Sequence, residues 1–570
     1  MGFDYMRVVL VDLTHQKVTI RDRHDLAPYL GGAPLARQML KEFGYRDRPA
    51  LDPGQPIVFA AGAFAGRYPS ASRTWTAFRS PLTHLLGEAS TGGALAAAMA
   101  FSGFDALVIT GRAAHPVYLT VSRRTIHIKR ADPLDGTGTE ECHRYLEDLT
   151  AAPGIRSIAV NGQGGEKGVR FANLTTDRFW AFGPGAGAVF GSKNLKALVV
   201  VGDQNQPMPG RDMAHYLETQ VRLGEAIKSS PAADTLHIRG TMGQFALDWS
   251  DPRIRSRAFS HNQRSVFETV DSKPQQNFPL TRHLSCVGCP VGCVQIVVWR
   301  HDFNPGPAEP EETHLAVDYE SFFALGVLSD LAIPDAMALM EKVRGYGLDP
   351  AGTGTMLAWL AEAVKTDRFP ARETGFQEDI HSLADKLKAI DALVEQNTGF
   401  YRMLARGIGT AAKLTGTSDK AYVIGELPLQ APLHAPGDAA AMVMHSYIPP
   451  HLLPDTGWKD WELKHTILSA AGLCPYLASI LDGALVADLF QAIDVPTSPN
   501  TLYAWAADRF ADQLALMRGF GYQAESYALP EHLLPGAPES IRFGLTRQLM
   551  DYDRWPQTER KEGLFAWLKS

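Results

Sequence analysis

The chain has 570 residues, too many for one ordinary core, and its 45% hydrophobic and 21% charged content describes a globular protein of two to four domains. Fifty-five Lys and Arg against 62 Asp and Glu give a net charge of −7, which argues against a nucleic-acid binder with a basic face. The longest apolar candidate, Gly92 to Gly111, is interrupted by Asp105, so no membrane span is expected.

The N-terminal run from Met1 to Asp12 reads as a first strand, not as a signal peptide. Arg123-Arg124 lie too deep in the chain for an export signal, and Met1-Gly2 lacks the hydroxyl residue that myristoylation needs. A cytoplasmic location is therefore expected. Short β-rich runs follow at Val8–Asp12, Pro56–Ala60, Ala106–Thr110, Val117–Val121, Ser157–Val160 and Leu198–Val201. Glycine clusters punctuate them at Gly31-Gly32, Gly92-Gly93, Gly162 to Gly165 and Gly183 to Gly187. From about Arg211 the apolar period becomes helical, over Met213–Ile227, Tyr319–Ser329, Pro334–Tyr346 and Thr355–Val364. Pro334 reads as a helix start and Pro350 as a helix stop, while Thr366 to Asp379 reads as an exposed loop. No internal repeat is evident. The expected fold is α+β and multidomain: a glycine-rich β domain over 1–207, then mainly helical domains over 208–406 and 407–570.

Chemistry concentrates in Cys286, Cys289 and Cys293, a CxxCxxxC run whose intervening residues are small or apolar. Five cysteines, an odd count, point to ligands and not to disulfides. Three thiolates so spaced can face one iron–sulfur cube, whose fourth thiolate must be Cys142 or Cys474. Zinc, with His283 as a further ligand, is the rival reading and the weaker one. The segment Gly183 to Lys193 fails as a P-loop, because its order is Gly191-Ser192-Lys193, and it fails as a dinucleotide fingerprint for want of an acidic partner. Repeated glycines still let backbone N–H groups approach a bulky anionic ligand.

Several strings together resemble the aldehyde:ferredoxin oxidoreductase family. They are Tyr29 to Ala36, Ser72 to Thr83, Gly165 to Asn173, Gly187 to Ala197, the three cysteines, Asp318-Tyr-Glu-Ser321 and Gly472-Leu-Cys474, in family order. The resemblance implies a tungsten or molybdenum atom held by two pyranopterins on the N-terminal domain, with one [4Fe–4S] cluster beside it. It implies oxidation of an aldehyde, with electrons leaving to a ferredoxin or to separate iron–sulfur and flavin subunits. A family reductase working on an aromatic thioester, and a scaffold that kept only the cluster, are the alternatives.

Carried over by position, Cys286, Cys289, Cys293 and Cys474 match the cluster thiolates, and Cys142 is left as structural. Arg73 matches an arginine between cluster and pterin, and Glu320 matches a carboxylate beside the metal that acts as a base. Gly347, Leu348 and Asp349, with Gly472 and Leu473, match two pterin-binding motifs whose first acidic position is here Arg344 and Ser469. Ser90, Gly92, Gly93, Gly183, Gly185 and Gly187 are expected near the pterins, with Ser90 serving a bridging magnesium ion through water. The family's histidine region is altered, so His445, Tyr447 and His451 are the candidates for an electrophile. Glu311-Glu-Thr-His314 raises a metal at a homodimer axis, although its proline-rich approach favours a solvated loop.

Overall fold

The computed structural model describes residues 4–203, 210–243, 280–301, 311–329, 331–366, 368–369, 374, 382–429, 442–445, 458–527, 545 and 548–553. The chain opens with the hairpin β1 (Met6–Asp12) and β2 (Lys17–Arg23), then α1 (Gly32–Phe43), β3 (Ile57–Ala61), β4 (Thr74–Arg79), β5 (Leu86–Thr91), α2 (Leu95–Ser102) and β6 (Ala106–Thr110). These strands form a sheet in the order β2-β1-β6-β3-β4-β5, in which β1 and β6 are parallel and every other pair is antiparallel.

The chain then builds the same unit again. The hairpin β7 (Val117–Ser122) and β8 (Ile126–Arg130) leads to α3 (Thr139–Leu149), β9 (Ile155–Asn161), β10 (Leu174–Thr176), β11 (Trp180–Phe182), α4 (Ala186–Ser192) and β12 (Leu195–Gly202). The order is β8-β7-β12-β9-β10-β11, again with one parallel pair, β7 and β12. This corrects the expectation of no internal repeat. The repeat escapes the sequence because its two copies face different neighbours. The outer face of the first sheet lies under C-terminal helices, whereas that of the second packs on α3 through Leu146 and Cys142.

Between the sheets sit α2 and α4, whose Leu95, Met99, Val189 and Phe190 join residues of both sheets in one core. Phe59 meets Phe182 and Phe190 edge-on, at centroid distances of 5.5 and 6.0 Å. Because α2 is covered on both sides, it can be apolar all round, and only Ala100 and Phe101 near its end approach the rim.

Beyond the repeat, α5 (Met213–Lys228) and α6 (Pro231–Arg239) precede a three-stranded antiparallel sheet of β13 (Leu280–Leu284), β14 (Val294–His301) and β15 (Glu311–Val317). That sheet departs from the expected unbroken helical region. It also places Glu311–Val317 in a strand, neither the loop expected nor the helix that pairing three residues apart requires. After it come a helical turn at Tyr319–Phe322, a π-helical turn at Phe323–Val327, α7 (Ile333–Gly345), α8 (Pro350–Lys365) and α9 (Leu383–Glu395). Pro350 opens α8 instead of ending a helix: it occupies the first turn, and Asp349 caps it by accepting the Gly352 N–H at 2.7 Å.

The C-terminal helices α10 (Trp458–Ala471), α11 (Gly483–Gln491) and α12 (Pro499–Gly519) share a core with α1. The segment expected as a loop over Thr366 to Asp379 lies mostly outside the described residues, as do Tyr447 and His451. Among the described residues no helix is long and apolar enough to cross a membrane.

Candidate active site

The two copies of the repeat each present a loop to the same kind of partner. After β3, Gly62 abuts Gly472, and a Cβ on Gly62 would stand 2.2 Å from the Gly472 nitrogen. After β9, Gly162 abuts Tyr346 and Gly347, and a Cβ there would stand 2.4 Å from the Tyr346 carbonyl oxygen. Backbone hydrogen bonds repeat the correspondence. Arg73 N–H donates to the Gly472 carbonyl at 3.0 Å, and Asn173 N–H to that of Gly347 at 2.7 Å. Cys474 N–H donates to Ser70 and Asp349 N–H to Phe171, each at 3.1 Å. Gly472 and Gly347 both take φ in the left-handed region, at +77° and +65°, which side chains resist. The repeat thus seats two loops in equivalent positions, one ending in a thiol and the other in a carboxyl.

Between these seats lies a cavity of about 580 Å³. Cys286, Cys289, Cys293 and Cys474 all line it, and all are free thiols. The turn between β13 and β14 delivers the first three. It docks on the first sheet through Val287 N–H to the Gly93 carbonyl, at 3.1 Å. Gly92 is bare where it faces Cys286, since a Cβ would lie 2.5 Å from the sulfur. Burial and the other three sulfurs together push the Cys293 thiol well above its ordinary range. Cys142 is elsewhere, on the buried face of α3, and burial raises its thiol to about 11.

Arg73 connects the sulfurs to the rest of the cavity. Its Nη2 lies 3.8 Å from Cys474 Sγ, and its guanidinium lies 5.7 Å from the centre of the Tyr476 ring. Burial works against the charge of Arg73, yet the Cys474 and Cys286 thiolates outweigh it and raise the guanidinium's pKa. Tyr476 in turn donates to Glu320 Oε1 at 3.4 Å. Burial and the Glu320 charge hold that phenol well above its usual pKa, so it remains a donor. Glu320 is 8% exposed and faces the cavity from the turn capped by Asp318.

The other sequence candidates divide by location. Ser90, Gly92, Gly183, Leu348 and Asp349 line the cavity. Gly93, Gly185, Gly187, Gly347, Gly472 and Leu473 do not; they serve backbone packing behind the wall. His445 is buried away from the cavity against Glu462, and the histidine that lines it is His465, stacked on Trp461 at 4.8 Å. His283 also stands off the cavity, exposed and stacked on His237.

Sequence reasoning missed His465, Tyr476, Trp75, Trp461, Lys464 and the function of Arg344. Arg344 is half-buried, lines the cavity and donates to Asp318 Oδ2 at 2.8 Å, so the departure from the acidic motif position installs an ion pair. The signals were faint: Tyr476 lies two residues past Cys474, and Trp461 and His465 sit one helical turn apart on α10. Burial raises Asp349 to about 6 and lowers Lys464 to about 8. Arg73 Nε, Trp75 Nε1 and Asn173 Oδ1 are buried on cavity-lining residues without hydrogen-bond partners, as suits a site for a polar heterocycle.

Residues 8–202 match the model of the aldehyde ferredoxin oxidoreductase N-terminal domain, and residues 218–450 match that of its domains 2 and 3. The chain belongs to the aldehyde ferredoxin oxidoreductase family. It is 28% identical over 518 residues to the tungsten-containing aldehyde ferredoxin oxidoreductase of Pyrococcus abyssi, covering 84% of this chain and 79% of that one. It is 27% identical over 423 residues to the WOR-like subunit of an aliphatic sulfonate oxidoreductase of Pyrococcus furiosus, covering 70% and 66%. Among solved structures it shares the fold of the active-site complex BamBC of benzoyl-coenzyme A reductase. The TM-score is 0.80 at 19% identity, over 97% of this chain and 94% of that one. The α+β architecture, a β-rich N-terminal domain followed by a largely helical region, is therefore the family's, and the chain is an oxidoreductase of that family.

Proposed function

We propose that this family member oxidises an aldehyde to a carboxylic acid with oxygen from water, releasing two protons and two electrons. The electrons pass through a [4Fe–4S] cluster to a ferredoxin or to separate iron–sulfur or flavin subunits. The observation that carries this reading is the continuous path Cys474, Arg73, Tyr476, Glu320 along one cavity wall.

When bound, a tungsten or molybdenum bis-pyranopterin supplies a two-electron acceptor at this cavity, and the cluster supplies a one-electron exit. The residues present fit both groups. The Gly472 and Gly347 loops would each hold one pterin, with Asp349, Asn173 and Arg344 offering polar contacts on one side and Ser90, Trp75 and Arg73 on the other. Cys286, Cys289, Cys293 and Cys474 would hold the cluster. Four thiolates on zinc stand about 3.8 Å apart. Among the described residues no three of these sulfurs lie within 4.8 Å of one another, a spread that suits a larger cube.

Glu320 takes the proton from the attacking water or aldehyde hydrate. Tyr476 donates to Oε1 of that carboxylate and orients it. Trp75, Trp461 and Leu468 shield the reacting atoms from bulk water. Arg73, charged throughout, offsets the negative charge that the cluster thiolates bring into a buried site.

Anaerobic protein supplied with short and aromatic aldehydes should reduce a viologen dye, and metal-replete protein that reduces none would end this assignment. A second reading, reduction of an aromatic thioester, draws on the fold shared with the benzoyl-coenzyme A reductase complex. The direction of dye turnover separates the two, because a thioester reductase consumes electrons from reduced viologen.

A further inference from the structure

Behind the wall that carries His465 lies a cluster of side chains for which the redox reading has no use. His445 is 1% exposed, and its Nε2 lies 2.6 Å from Glu462 Oε2. Tyr552 donates to the other Glu462 oxygen at 2.7 Å. Nε2–H of His445 therefore points at a carboxylate, and its Nδ1, buried and without a hydrogen-bond partner, carries the lone pair. His465 Nε2 is likewise buried and unpartnered. The two rings meet edge to face with centroids 4.5 Å apart. One ligand atom from each ring and a Glu88 carboxylate oxygen all fall within 4.8 Å of one another.

Glu88, on β5, is fixed by α1: Arg37 Nε and Nη2 donate to its two oxygens at 2.6 and 2.8 Å. Burial, with His445 and Arg37 nearby, keeps the His465 imidazole neutral, as a ligand must be. An imidazole whose far N–H is anchored by a carboxylate while its near nitrogen is bare is the outer-shell arrangement that orients metal ligands. Two nitrogens and one oxygen suit a borderline cation and not calcium or magnesium, which select oxygen.

We propose that Glu88, His445 and His465 bind one zinc-class divalent cation, which pins α10 and residues 442–445 to β5 and fixes the His465 ring in the cavity wall. The site stands apart from the four cysteines and does not depend on the proposed reaction.

The test is zinc content and zinc K-edge X-ray absorption on holoenzyme dialysed against a weak chelator. The wild type should retain one zinc per chain, with nitrogen and oxygen neighbours at about 2.0–2.2 Å and no sulfur at about 2.3 Å. His445→Ala and His465→Ala should each lose most of it. Glu462→Gln should weaken zinc about ten- to hundredfold. His465→Cys, which keeps a ligand, should add a zinc–sulfur distance of about 2.3 Å. Zinc absent from wild type, bound only through sulfur, or undisturbed by the Glu462 and His465→Cys changes would overturn the proposal.

Discussion

The Tyr476 phenol donates to Glu320 Oε1 at 3.4 Å, and the same ring lies beside the Arg73 guanidinium, which reaches Cys474. One residue thus touches both the proposed base and the arginine that contacts one of the four cavity thiols. Glu320→Gln should lower kcat about 10²–10⁴-fold with metal and iron contents unchanged. Tyr476→Phe removes only the oriented hydrogen bond and should cost about tenfold or less. Steady-state rates of dye reduction decide this, and an unchanged Glu320→Gln rate removes Glu320 from the chemistry.

Arg73 is half-buried beside the Cys474 and Cys286 thiols, so its charge acts on any cluster they hold. Replacing it by Gln withdraws a positive charge and should lower the cluster's reduction potential by on the order of 50 mV. Redox titration followed by electron paramagnetic resonance reads the shift. A potential that stays put would place the arginine too far from the cluster to matter.

The paired seats make a matched prediction about packing. Gly62→Ala and Gly162→Ala each drive a methyl into backbone of a partner loop and should destabilise by about 1–3 kcal/mol or more. Gly224, inside α5 with no atom near its Cβ position, should instead gain about 0.5–1 kcal/mol on replacement by Ala. Thermal melting of the three variants tests the contrast.

Asp349 supplies a pH dependence. Its folded pKa, about 6, is raised above the ordinary 3.8 by burial, so the folded state holds a proton that the unfolded chain releases. The contribution is present in full below about pH 4 and is lost as pH rises to about 6, on the order of 3 kcal/mol. Asp349→Asn keeps an N-cap for α8 and removes the titration, so denaturation midpoints should vary less between pH 4 and 6. Parallel curves for the two proteins would contradict the assignment.

What the sequence disclosed follows from the range of each interaction. Cys286, Cys289 and Cys293 converge through one local turn, and a spacing rule suffices to find them. The apolar strands β3, β6 and β9 announce themselves, whereas β4, β10 and β11 owe their strand state to neighbours across the sheet. The duplication is legible only in the backbone, because Gly62 and Gly162 do equivalent work while Arg73 and Asn173 do different work. His465 was out of reach because its placement depends on Trp75, Trp461 and His445, which come from distant segments. The β13–β15 sheet was hidden for a similar reason: its strands are joined by cysteine-bearing or proline-rich connections that mask their alternation.

The central claim is that the cavity between Gly472 and Gly347 seats a pterin-bound group-six metal wired through Arg73 to a cluster on four cysteines. Elemental analysis of anaerobically purified protein, with pterin release on acid denaturation, tests it most directly. The account predicts one tungsten or molybdenum, about four irons and two pterins per chain. Protein that carries the iron with neither group-six metal nor pterin would contradict it.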